Sequence, residues 1–110
     1  MADDLTPILI GAGQITQREA DPQAALSPLD LTAAAAKAAA QDAGGVQRLI
    51  ETLDTIVAIR SFSDTSWRFA SPFGGSKNPP KSIANRIGAT NAGRLVYTWP
   101  GGNMPQWCVN

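Results

Sequence analysis

Cys108 is the one thiol in the chain, and no histidine accompanies it. A cysteine becomes a nucleophile when a neighbouring base or a helix N-terminus favours its thiolate form. Without histidine, neither a Cys-His nor a Ser-His-Asp arrangement can be completed within these residues, and a histidine zinc site is excluded as well. Cys108 is therefore a candidate nucleophile whose base must come from elsewhere. Alternatively, Cys108 is a small buried side chain that packs against its neighbours and has no chemical role.

Gly101, Gly102 and Asn103 form a second candidate site, just before a predicted helix. Glycines allow a backbone to approach a ligand closely, and the free amides of a helix N-terminus can bind an anion or stabilise an oxyanion. The same residues also suit a tight strand-to-helix turn that binds nothing. Cys108 follows about one turn into this helix, past the position where the helix N-terminus most favours a thiolate.

Two further patterns have weaker chemical meaning. Residues 11–13 read Gly-Ala-Gly after an apolar run, but the dinucleotide-binding fingerprint needs a third glycine where Thr16 stands. A plain turn is the better interpretation. Lys77 and Lys81 flank a Pro-Pro pair and could meet a phosphate, although two lysines in a loop are usually only solvated.

Three short runs are strand candidates, and the first of them suits a strand buried on both faces, although periodicity alone cannot exclude a helix segment there. They cover residues 7–11, 55–60 and 94–98. Between them the sequence predicts helices over 28–43, 46–53 and 81–87, and a last helix that starts after Asn103. Strands that alternate with helices imply crossover connections and a mostly parallel sheet covered by helices, which is an α/β fold.

The first predicted helix has the strongest local signals. Ser27 can cap it, Pro28 suits its first position, and Asp30 can face its free amides. A run rich in alanine follows and ends at a Gly-Gly pair. So wide an alanine face favours a helix packed between layers, because a solvent-facing helix would carry more lysine and glutamate.

Residues 61–80 form a long stretch that holds four aromatic rings among serines, glycines and prolines. Loops of this length are usually functional or disordered, and disordered segments contain few aromatic residues. We therefore expect an ordered loop that packs on a neighbour or frames a pocket.

The amino-acid composition indicates which partners this protein is expected to bind. Nine basic and nine acidic residues balance, with a pI of about 6.1, so nucleic acid and anionic membranes are not expected partners. Charged residues make up 16% of the chain, against roughly 25% in ordinary domains. A small domain has proportionally more surface and should carry more charge. The shortage predicts that other protein covers part of this surface.

We expect no export signal. An acidic N-terminus leads into only a short apolar run, and no stretch approaches the ~20 apolar residues of a membrane span. A single cysteine rules out an internal disulfide. We expect a soluble, cytoplasmic chain. Because the last helix has no stop signal before Asn110, we also expect residues 1–110 to be the first part of a larger domain.

The order of these segments resembles the start of a thiolase. The resemblance is carried by the motifs at 7–13, 27–31, 42–44, 56–58 and 83–88. The stretch 96–106 resembles the bacterial acetyl-CoA acetyltransferase-like branch, which is related to the sterol-carrier-protein thiolases. This resemblance implies a layered αβαβα fold of two similar halves, in which the present chain would be the βαβαβ portion of the N-terminal half.

The resemblance also implies a reaction and its participants. Thiolases transfer acyl groups between acyl-CoA molecules through a cysteine thioester, with a histidine and a second cysteine from the C-terminal half. The resemblance therefore implies that residues 1–110 alone are not a competent enzyme. The substrate would be acyl-CoA, with no metal and no separate cofactor. The expected partners are the remainder of the thiolase fold or a second subunit, in a homo-oligomer.

This sequence departs from the family at the nucleophile. Thiolases place the reactive cysteine where the helix begins, which corresponds to Gly102 or Asn103 and not to Cys108. Either Cys108 serves from a shifted helix register, or the usual nucleophile is missing. The corresponding functions are an acyl-CoA acyltransferase and a non-catalytic protein that binds CoA esters or a partner. A free-standing small α/β binding domain is a third hypothesis.

Overall fold

The computed structural model describes residues 4–109, which form helices around a small parallel sheet. This confirms the general α/β class. The helices are α1 (Pro28–Asp42), α2 (Val46–Thr52), α3 (Pro79–Ile87) and α4 (Met104–Val109). The strands are β1 (Thr55–Ala58) and β2 (Arg94–Tyr97), and two 3-10 turns lie at Phe62–Asp64 and Trp67–Phe69. No helix within residues 4–109 is long and apolar enough to cross a lipid bilayer.

β1 and β2 pair in parallel, with Thr55 opposite Arg94 and Ala58 opposite Tyr97. The connection between them contains the aromatic loop and α3, as a parallel pair requires. The carboxyl ends of both strands therefore lie at the same edge of the sheet. Everything that follows the strands, namely the aromatic loop and the turn into α4, starts from that edge.

The first predicted strand, at residues 7–11, is wrong as a strand. The segment is extended but belongs to no sheet, and Ile8 and Leu9 are 73% and 85% exposed. It crosses α1 instead, where the Ala12 amide donates a hydrogen bond to Asp42 Oδ2 at 2.9 Å. An apolar run becomes a strand only when a neighbouring strand pairs with its backbone, and neither β1 nor β2 does so here.

The alanine face of α1 is explained by this crossing. A Cβ atom at Gly13 would overlap the backbone of Ala35 and Ala39 on α1. Glycine on one side and alanine on the other bring the two backbones together. The residues that suggested a nucleotide-binding turn are therefore used for packing against a helix.

Replacement of Gly13 by alanine should destabilise the protein or detach the segment from α1. The added methyl group has no room, and overpacking of this kind costs about 1–3 kcal/mol. Gly75→Ala is the matched control, because a Cβ at Gly75 would meet no atom within 4 Å. Urea denaturation of both variants measures the difference. Equal free energies of unfolding would show that residues 11–13 do not press on α1 in solution.

The helix ends follow the predicted capping signals. The Asp30 amide donates to Ser27 Oγ at 3.2 Å, and Pro28 is the first residue of α1. α3 begins at Pro79 and not at Lys81, because the Lys81 amide donates to Asn78 Oδ1 and both prolines fit in the first turn. Gly88 ends α3 with φ +85°, a conformation that glycine adopts without strain.

A small core of short side chains holds α1, α2, α3 and the sheet together. Its buried members are Ala40, Ile50, Ala84, Ala89 and Ala92. Half-buried leucines and isoleucines, among them Leu49 and Leu95, pack around it. Because most of these residues are alanines, helices and strands approach closely, and the few larger side chains supply most of the apolar area.

Candidate functional site

A cavity of about 910 Å³ lies where the helices and the sheet meet the aromatic loop. Its wall is formed by one side of α1, by β1, by α3, by loop residues between 61 and 76, and by α4. Much of that wall is apolar, with Leu29 from α1, Val57 and Ile59 from the β1 region, and Ile83 and Ile87 from α3. Such a wall suits an apolar chain better than a charged group.

Cys108 lines this cavity from α4, and its side chain is half-buried. α4 begins at Met104, so the predicted helix start after Asn103 is confirmed. The Met104 amide donates to the Gly101 carbonyl at 3.2 Å, and the Trp107 amide donates to the Asn103 carbonyl at 3.3 Å. These bonds turn the chain from β2 into α4 and bring the thiol to the cavity.

The predicted binding residues lie elsewhere. Gly101, Gly102 and Asn103 are all exposed and are not part of the cavity wall. The turn that they form directs Cys108 toward the cavity without facing the cavity itself. Lys77 and Lys81, the other candidates for an anion, are exposed on either side of the start of α3. The structure therefore brings Cys108 to the cavity and leaves the glycine turn on the surface.

Sequence reasoning missed a tyrosine–carboxylate pair on the cavity wall. The Tyr97 hydroxyl donates to Asp64 Oδ2 at 2.9 Å and accepts a long hydrogen bond of 3.4 Å from the Ser61 amide. Burial raises the pKa of Tyr97 above its ordinary value of 10.0, and the hydrogen bond to Asp64 raises the pKa further. Only the strand topology could have indicated this pair, because Tyr97 ends β2 and Asp64 follows β1 at the same edge of the sheet.

Arg60 joins the same group of residues. One of its terminal nitrogens donates to the Asp64 carbonyl at 2.9 Å. Its Nε atom is buried and has no hydrogen-bond partner in the described part of the chain. The arginine therefore stiffens the first turn of the aromatic loop at the cost of one unsatisfied donor.

A salt bridge lies at another side of the cavity. Arg86 Nε, on α3, donates to Asp30 Oδ1 on α1 at 2.7 Å, and Arg86 also lines the cavity. The Arg86 hydrogen bond, followed by the one from Ser27, lowers the pKa of Asp30 below its ordinary value of 3.8. The pair ties the first turn of α1 to α3.

This salt bridge should make unfolding sensitive to acid. Ionised Asp30 stabilises the folded state at pH values above 3.8, and the contribution is lost as the pH falls toward the lowered value. Arg86→Gln should lower the melting temperature at pH 7 and flatten its decline below pH 4. Lys81→Gln, on the same helix, is the control. The idea fails if Arg86→Gln and Lys81→Gln show the same melting curve at every pH.

The described residues hold no group of three or more His, Cys, Asp or Glu side chains that could bind a metal ion. What they offer is a half-buried thiol, a tyrosine–carboxylate pair and a salt bridge around an apolar cavity. This arrangement can seat an apolar chain and present a sulfur atom to it. The chain matches no protein-family model, no curated protein and no solved structure.

Proposed function

We propose that this chain is part of a thiolase-like acyl-CoA acyltransferase, with Cys108 as the group that accepts the acyl chain. The observation that carries the proposal is the position of the Cys108 thiol on the wall of an apolar cavity of about 910 Å³. An acyl chain loses contact with water on entering such a cavity, which favours binding by about 0.8 kcal/mol for each CH₂ group buried. The thiol then meets the chain at its reactive end.

The chemistry is an exchange of one thioester for another. The Cys108 thiolate attacks the acyl carbonyl, a new carbon–sulfur bond forms, and the carbon–sulfur bond to CoA breaks, so that CoA leaves as a thiolate. The proton of Cys108 must go to a base. No histidine is present in this sequence, and the resemblance to thiolases assigns that base to the C-terminal half of the fold.

The proposed fold is a portion of a thiolase N-terminal half, to which the described residues contribute one β–α–β unit. The parallel β1–α3–β2 unit supports it, because this is the crossover that such a sheet requires. The exposed apolar side chains of residues 8–10 form a surface that a further layer would cover. We infer that the remainder of a thiolase fold or a second subunit provides that layer.

Intact mass after incubation with acyl-CoA tests the proposal. Acetyl-CoA and octanoyl-CoA are each mixed with the complete protein, in which residues 1–110 are joined to the half that supplies the base, and peptide mapping locates any added acyl group. An acyl group on the peptide that contains Cys108, removed by hydroxylamine as a thioester should be, is the expected result. Protein that binds neither compound and gains no acyl group would refute the proposal.

A non-catalytic CoA-ester or partner-binding protein is the second candidate. It is favoured by the turn at Gly102 and Asn103, the position of the thiolase nucleophile, which here is exposed, carries no thiol and lies outside the cavity wall. In this case octanoyl-CoA would bind and raise the melting temperature, but the mass of the protein would not change. The same incubation therefore separates the two functions.

A further inference from the structure

Residues 61–75, which we call the aromatic flap, form one outer side of the cavity. The flap contains two 3-10 turns, Phe62–Asp64 and Trp67–Phe69, that contact each other. The rings of Phe62 and Phe69 pack against each other, with centroids 4.7 Å apart and planes tilted by 42°. Because its two turns are joined by this pair of rings, the flap can move as a unit.

The flap is attached to the rest of the molecule at few points. Neither 3-10 turn contains a buried residue, and Trp67 is 83% exposed. At the start of the flap, Ser61 and Asp64 both bond to Tyr97, and Asp64 also accepts from neighbouring Arg60. The other hydrogen bonds shown for residues 61–75 join residues within the flap.

The end of the flap has the properties of a hinge. Gly74 has φ +80°, and a side chain at either Gly74 or Gly75 would meet no atom within 4 Å. Two unconfined glycines can absorb a change in backbone direction at little cost. Just beyond them, the hydroxyl of Ser76 bonds to that of Ser82 on α3, which anchors the chain after the hinge.

The flap also supplies part of the cavity wall. Ser61, Ser63, Asp64, Ala70, Ser71 and Phe73 all line the cavity. Movement of the flap about its glycine end would therefore remove one side of the cavity. The attachment that opposes this movement is the contact between Tyr97, on β2, and Asp64, on the flap, which lie 33 residues apart in the chain.

We infer that the aromatic flap is a gate over the cavity, latched by the hydrogen bond from Tyr97 to Asp64 and hinged at Gly74 and Gly75. Breaking the latch lets the flap swing outward while α3, β1 and β2 stay in place. The gate controls entry to the cavity under either proposed function, because it depends on the flap contacts and not on acyl transfer.

Tyr97→Phe and Asp64→Ala test the latch by removing its donor and its acceptor. Two rates are measured on the folded protein: trypsin cleavage after Arg68, which reports release of the flap, and alkylation of Cys108 by N-ethylmaleimide, which reports access to the cavity. We expect each variant to raise both rates roughly three- to tenfold, which corresponds to the loss of one ordinary hydrogen bond. The double variant should raise them no further.

Asn91→Ala is the matched control. It removes a side-chain hydrogen bond of 2.8 Å to the Glu51 carbonyl, which also joins distant parts of the chain but does not involve the flap. Its rates should stay at the wild-type values. Asp64 is exposed, so Asp64→Ala keeps the test valid if Tyr97→Phe fails to fold. Faster cleavage with unchanged alkylation, or no change in either rate, would overturn the gate.

Discussion

Replacing Cys108 by alanine is expected to abolish transfer of an acyl group from acyl-CoA to the protein. Cys108 is the one thiol in the sequence, and the structure places it on the cavity wall. Loss of a nucleophile typically lowers a reaction rate by a factor on the order of a thousand or more. Incubation of wild type and variant with octanoyl-CoA, followed by intact mass, measures the effect.

Cys108→Ser is the companion variant, because its hydroxyl is nearly the same size but a far weaker nucleophile at neutral pH. Both variants should keep the wild-type melting temperature within a few degrees, since the side chain is small and half-buried. They should also bind octanoyl-CoA as wild type does. An acyl group that still appears on the alanine variant would assign the reaction to another side chain and end the role of Cys108.

Asn103→Ala distinguishes the thiol from the turn before it. The resemblance to thiolases implies a nucleophile at the helix start, near Gly102 and Asn103. In this structure that turn is exposed and lies outside the cavity wall. Transfer to Cys108 should therefore be nearly unchanged in Asn103→Ala. A large loss of transfer would mean that the substrate carbonyl reaches the helix start after all.

The elements that could be predicted from the sequence are those whose ends carry their own signals. Ser27 and Pro28 start α1, and the glycine at position 88 stops α3, through contacts within a few residues of each end. β1 follows from a short β-branched run, and β2 from a short run of apolar and aromatic residues after Arg94. Each of these signals is local, so it holds without knowledge of the rest of the fold.

The segment at 7–11 could not be predicted in the same way. Its apolar run is equally consistent with a buried strand and with an extended segment crossing a helix, because the difference depends on which neighbour it meets. Here the neighbour is the alanine face of α1. The beginning of α3 was missed by two residues, since Pro79 and Pro80 can either precede a helix or fill its first turn.

The candidate site could likewise be predicted only where a residue's own type was informative. Cys108 could be singled out from its residue type alone. Tyr97 and Asp64 could not, because their pairing arises only when two parallel strands place their carboxyl ends side by side. The sequence predicts of the cavity only that the aromatic loop either packs on a neighbour or frames a pocket. Its volume and its apolar wall depend on how α1 and α3 pack, which local patterns do not encode.

Ile50→Ala and Ile83→Ala form a matched pair that tests this arrangement of core and cavity. The two isoleucines are almost equally buried, at 5% and 6% exposed. Ile50 belongs to the small core, whereas Ile83 lines the cavity. Removing a buried isoleucine side chain costs about 2–5 kcal/mol, and the cost rises with the size of the void left behind.

We expect Ile50→Ala to cost about 3–5 kcal/mol and Ile83→Ala about 2–3 kcal/mol, because the space left by Ile83 joins an existing cavity and fewer contacts are lost. Urea denaturation measures both values. Domains of this size are stable by only about 5–15 kcal/mol, so an alanine variant could fail to fold. In that case the Ile→Val variants replace it, because each should cost only about 0.5–1.5 kcal/mol.

Ligand binding should be affected more by the Ile83 variant than by the Ile50 variant, which is the reverse of their order in stability. Widening the cavity at Ile83 should change the preference between octanoyl-CoA and acetyl-CoA, whereas shortening Ile50, outside the cavity wall, should leave the ratio of the two affinities unchanged. If both variants lose the same stability and keep the same ratio, the cavity beside Ile83 is closed or unused in solution. If only Ile83 alters the ratio, the apolar wall between α3 and β1 is where the acyl chain lies.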